Sequence, residues 1–119
     1  MSRASLSEGC SQYKVSENVA LKVQAKVAGK RDIQVIEMLK GTKAQQQQLA
    51  VSGLMALAYA AEGGTGSFLG SPASRIAWDF QKNVAKYGDK AYPLSEAQIR
   101  IVVQEALGWA QAYDPNVDA

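Results

Sequence analysis

Thirteen consecutive positions, Leu49 to Ala61, carry no charged side chain and read Leu, Ala, Val, Ser, Gly, Leu, Met, Ala, Leu, Ala, Tyr, Ala, Ala. This run is too short to span a bilayer, which takes about 20 apolar residues, so it must be covered by the rest of the chain. It continues a helix-forming stretch that starts near Lys43 and includes the four glutamines Gln45 to Gln48. The spacing predicts one helix over about 43–61, within a segment 42–62. Thr42 and Gln45 stand at capping-box distance, and Gly41 lies just outside. Because the second half is apolar nearly all round, this helix belongs at the centre of the core. Ser52, Ala56 and Ala60 form a small-residue stripe on which another helix can pack closely. A neighbour within the same chain is the expected occupant, and a homodimer is the alternative.

The rest of the chain must supply that cover. At 119 residues with 47% apolar content it forms one domain that needs no metal or disulfide to hold it. Two further helices are predicted C-terminally. Ser71-Pro72 gives an N-cap with proline in the first helical position, followed by Ile76, Phe80, Val84 and Tyr87 at helical spacing. Ser95 and Gln98 form a capping box, with Leu94 and Ile99 as a hydrophobic staple. From there Ile99, Val102, Val103, Ala106, Leu107 and Ala110 mark one apolar face as far as Asp114-Pro115. Phe80, Val84, Ile99, Val103 and Leu107 are expected to lie against the central helix.

The N-terminal part reads two ways. Val19, Leu21, Val23, Ala25 and Val27 alternate with Ala20, Lys22, Gln24 and Lys26, which is the period of a half-buried strand. Val19, Val23 and Val27 also share one helical stripe, which Ser16 could cap and Gly29 could end. The β-branched content tips the reading towards a hairpin of 19–27 with 33–38, with two short helices as the alternative. The expected fold is therefore mainly α, a small helical bundle of three helices completed by an N-terminal β-hairpin or two short helices. Its parts are a flexible arm (1–14), the hairpin or short helices (15–41), the central helix (42–62), a glycine-rich loop (63–70), a C-terminal helical hairpin (71–113) and a tail (114–119).

Composition removes several kinds of chemistry. With no His there is no His-based triad, no His-ligated metal site and no imidazole pH switch. The single Cys10 cannot form an internal disulfide or a zinc site alone, which fits a reducing, cytoplasmic setting. The first ten residues are polar and have no signal-peptide core. The loop Gly64-Thr65-Gly66-Ser67-Phe68-Leu69-Gly70 lacks the Gly-Lys-Ser/Thr ending of a phosphate loop and follows a helix where a dinucleotide fingerprint follows a strand. Acids are scattered, and Asp79 is flanked by Arg75 and Lys82 at helical spacing. These features predict a non-enzymatic protein without cofactor or metal and without a membrane span.

Charge is spread unevenly. Residues 1–46 hold eight Lys/Arg against four Asp/Glu, a balance of +4, while residues 47–119 hold five against seven, a balance of −2. Lys22, Lys26, Lys30, Arg31, Lys40 and Lys43 could face a polyanion. Lys82, Lys86 and Tyr92 add basic and aromatic groups of the kind that neutralise phosphates and stack bases. The expected partner is nucleic acid, DNA ahead of RNA, or a nucleoprotein complex. The alternatives are a host or defence enzyme that a small protein of this kind binds and inhibits, and a role as a structural or virion component.

Trp78-Asp79-Phe80, Asn83-Val84, Tyr87-Gly88 and Leu94-Ser95-Glu96-Ala97-Gln98 together resemble a helical hairpin module of phage and plasmid proteins. In that module an aromatic-anchored helix is followed by a glycine-containing turn, and Leu-Ser-x-x-Gln opens a second helix. The resemblance covers about residues 76–107. Here Ala97 stands where Lys is common, and Asp89 to Pro93 lengthen the turn. It implies a mobile-element origin and an association with DNA replication or recombination, without assigning an activity.

Overall fold

The computed structural model describes residues 4–63, 71–76, 79 and 95–116. Among the described residues five helices are defined: α1 (Leu6–Gln12), α2 (Glu17–Val27), α3 (Asp32–Lys40), α4 (Ala44–Glu62) and α5 (Glu96–Ala112). A further helical turn occupies residues 72–76, and there is no strand among the described residues.

The N-terminal β-hairpin is thus replaced by its helical alternative. Segments 19–27 and 33–38 lie inside α2 and α3. A strand would place positions 19, 21, 23, 25 and 27 on one face. Instead Ala20, Val23 and Val27 are buried, whereas Leu21 is 36% exposed and Ala25 is exposed. Burial therefore follows the helical period, and the alternation in sequence is incidental. Ser16 supplies the cap, accepting the Val19 N–H at 3.2 Å. Gly29 takes a left-handed φ of 74° in the turn towards α3.

Residues 1–14, expected as a flexible arm, contain α1. Ser5 accepts the Glu8 N–H at 3.2 Å and starts a helix that buries Leu6, Gly9 and Cys10, with Tyr13 completely enclosed just beyond it. The helix lies on α4. A Cβ on Gly9 would sit 2.7 Å from the Ala56 carbonyl oxygen, so the backbones meet there with no room for a side chain. A second close approach joins α2 to α4, where a Cβ on Gly53 would meet Val23 Cγ2 at 3.0 Å. Ser52, Ala56 and Ala60 are all buried. At Ala56 the small-residue stripe receives a helix of its own chain.

The central helix begins one residue later than its expected cap. Lys43 is the N-cap and makes no side-chain cap bond. The Thr42–Gln45 box does not form, because the Thr42 hydroxyl donates to the Leu39 carbonyl at 2.8 Å and closes α3 instead. Gly63, at a φ of 80°, ends α4. Residues 51–58 are buried without a break, as the apolar run requires.

The C-terminal expectations are met where residues are described. Ser71 accepts the Ser74 N–H at 3.1 Å, and Glu105 of α5 accepts the Ala73 N–H at 3.2 Å, satisfying another free amide of that turn. Ser95 and Gln98 form their capping box with bonds of 3.0 and 3.2 Å. Ile99, Val102, Val103, Ala106, Leu107 and Ala110 are buried. Phe80, Val84, Tyr87, the glycine-rich loop 64–70 and the staple residue Leu94 lie outside the described residues.

Helices α1, α2 and α5 all pack on α4, which makes it the hub. No helix among the described residues is long and apolar enough to cross a membrane. Although α2 and α3 follow one another in sequence, they barely touch; α3 rests chiefly on α5.

Candidate functional site

The divergence of α2 from α3 opens a groove. The Val23–Gly53 contact draws α2 onto the middle of α4. Polar ties hold α3, and separately the end of α2 and the α2–α3 turn, to α5. The Lys40 ammonium meets the Glu96 carboxylate at 2.8 Å, and the Gln111 amide donates to the Val27 and Lys30 carbonyls, both at 2.7 Å. Gln24 also donates to the Tyr113 carbonyl. The space left between α2, α3 and the first half of α4 is a groove of about 380 Å³.

Its floor is apolar: Val23 and Val27 from α2, Val35 and Leu39 from α3, and Ala50 and Leu54 from α4. Met38 and Leu49 stand at its sides, and Leu49 is 43% exposed. The polar lining consists of Lys22, Lys26, Thr42 and Gln46. Among the described residues no carboxylate lines the groove, and the Thr42 hydroxyl is already bonded to Leu39. Such a lining can exclude water and hold apolar groups, but it offers no nucleophile, general acid–base pair or oxyanion cradle. Among the described residues no group of three or more His, Cys, Asp or Glu could hold a metal ion.

The lysines singled out from sequence have unequal roles. Lys22 and Lys26 lie one turn apart on α2 at the groove, exposed and without an ion pair among the described residues. Lys30 is half-buried in the α2–α3 turn, and Arg31 is the exposed N-cap of α3. Lys43, also exposed, is the N-cap of α4. Lys40 serves a different purpose. It pairs with Glu96 and, at 3.3 Å, with Glu37, and Arg100 adds a longer contact to Glu96 at 3.8 Å. Hydrogen bonds that the Lys40 ammonium donates to Glu96 and Glu37 raise its pKa, and the ammonium in turn lowers that of Glu96. Lys82, Lys86 and Tyr92 lie outside the described residues.

Sequence reasoning placed Lys22 and Lys26 on a partner-facing surface but missed the apolar groove beside them. Val35, Met38, Leu39, Leu49 and Leu54 look like ordinary core residues in a helical reading. The one available signal was that α4 is apolar on more sides than three neighbouring helices need, which does not say where the uncovered side lies.

Comparison with protein-family models, with curated proteins and with solved structures finds no match to this chain.

Proposed function

We propose that this protein is a small non-enzymatic modulator that binds a partner protein through the groove between α2, α3 and α4. The observation that carries this reading is an apolar groove in which Leu49 is 43% exposed, beside Lys22 and Lys26, which have no ion pair among the described residues. Apolar floors with a polar rim are where protein partners bury their anchor side chains. A phosphate backbone gains nothing from Val, Leu and Met. Of the basic residues first assigned to nucleic acid, Lys40 is engaged with Glu37 and Glu96, which leaves Lys22, Lys26, Lys30, Arg31 and Lys43 as the described cations for such contacts.

Leu49→Asp tests the assignment, because Leu49 is 43% exposed and its replacement leaves the enclosed core intact. In quantitative affinity capture from the native host's lysate, the wild-type chain is expected to retain a protein at about one-to-one stoichiometry. Leu49→Asp is expected to lose it, while Arg100→Ala, outside the groove, retains it. Labelled oligonucleotides titrated from about 50 to 200 mM salt provide the opposing arm. Binding that falls log-linearly with salt and is unaffected by Leu49→Asp would overturn the reading in favour of a basic nucleic-acid surface.

A further inference from the structure

Resting on that protein-binding reading, we infer that the groove takes one amphipathic helix of the partner, with its apolar stripe flanked by acidic residues. Two observations lead there: the nature of the groove walls and the sign of the charge on them.

Every wall is helical. Along the bodies of α2, α3 and α4 the backbone amides and carbonyls bond within their own helices, and the Gln47 and Gln111 side chains donate to the Leu39 and Val27 carbonyls at the helix ends. No strand edge borders the groove among the described residues. A peptide entering in extended form would lay its own N–H and C=O groups over Val23, Val35 and Leu54 with nothing to bond, and such unpartnered groups are costly. A helix brings its backbone already satisfied and presents side chains alone, anchored at i, i+3 or i+4 and i+7. The 11 residues of α2 run for about 16 Å, so two to three turns of a partner helix match the wall.

The charge supplies orientation and selectivity. Among the described residues Lys22 and Lys26 are the only charged ones lining the groove, and their i, i+4 spacing puts both ammonium groups along one rim. The nearest acids on the same elements do not cancel them: Glu37 is taken up by Lys40, Glu17 lies at the start of α2, and Asp32 bonds the Ile33 N–H at 2.8 Å. A helix with Glu or Asp one turn apart beside its apolar stripe complements this rim. One with Lys or Arg there meets like charge and loses water contacts without compensation.

The test uses the full chain and two synthetic 14-residue helical peptides with the same leucine stripe, one flanked by glutamates and the other by lysines. Fluorescence anisotropy is expected to show the glutamate peptide binding at least about tenfold tighter to the wild-type chain. The double variant Lys22→Glu/Lys26→Glu is expected to invert that order. Both lysines are exposed, and an unchanged circular dichroism melt verifies that the variant folds. Amide chemical-shift changes on adding the glutamate peptide should cluster at Val23, Val35 and Leu49. Three results would overturn the inference: no binding of either peptide at millimolar concentration, a preference that charge reversal leaves unchanged, or sedimentation showing that a second copy of this chain occupies the groove. A lysate partner lost in Leu49→Asp but accompanied by one of these failures removes the acidic helix and leaves the protein-binding reading standing. Loss of both removes both.

Discussion

Cys10 shows how little a residue's sequence neighbours say about its chemistry. Set among Ser, Glu, Gly and Gln, it reads as an incidental thiol on a polar stretch. In the fold it is buried under α4, and burial, with a smaller effect from Glu17, pushes its pKa from 9.0 up to about 11. The nucleophilic form is the thiolate. Near pH 8 a rise of that size lowers the thiolate population about a hundredfold. Iodoacetamide is therefore expected to alkylate the native protein at least about a hundredfold more slowly than the denatured chain at pH 8. Equal rates would show that Cys10 is accessible. The linkage follows the same sign: above pH 9 the unfolded thiol gives up its proton while the folded one keeps it. The contribution of Cys10 to stability is present below pH 9 and is lost between about 9 and 11. Its neighbour Tyr13 is also held well above the usual phenol range by burial, with a hydrogen bond to Ser74 acting in the opposite direction. Neither effect can be read from sequence, since the burial behind both comes from tertiary packing of α1 against α4.

Helices of this chain are decided by their ends and by their closest contacts. Ser16 and Ser95 were readable as caps because a serine three residues before its amide partner acts locally, whatever the tertiary surroundings. Thr42 was not, since the preceding helix runs up to it and competes for its hydroxyl. Gly9 and Gly108 provide a paired test. Alanine is the better helix former by about 1 kcal/mol, so local propensity favours Gly→Ala at both sites. At Gly108 nothing lies within 4 Å of the added Cβ, and Gly108→Ala is expected to stabilise by about 0.5–1 kcal/mol. At Gly9 the Cβ would press on the Ala56 carbonyl at 2.7 Å. Gly9→Ala is expected to cost about 1–3 kcal/mol as α1 is forced off α4. Urea midpoints with unchanged m-values would measure both, and a stabilised Gly9→Ala would refute the close approach.

At the scale of the whole molecule, one buried helix carries the others. Leu57 is fully enclosed in the middle of α4. Leu57→Ala is expected to lower stability by about 2–5 kcal/mol, a large share of what a domain of this size possesses. Circular dichroism and tryptophan fluorescence should report one coincident transition, and a loss below about 1 kcal/mol would mean that α4 is not the hub. The sequence alone determined that α4 is central, because 13 uncharged positions admit no other place in water. It also determined the start and buried face of α5, where cap and 3.6-residue period agree. Tertiary structure decided the rest. Segments of 11 and 9 residues are too short for periodicity to separate helix from strand, and α2 and α3 became helices because α4 and α5 offered surfaces that accept a helical stripe. Packing likewise sent Lys40 to Glu96 and left Lys22 and Lys26 beside an open groove. The space between two helices depends on what each of them packs against, and no local pattern in α2 or α3 encodes that.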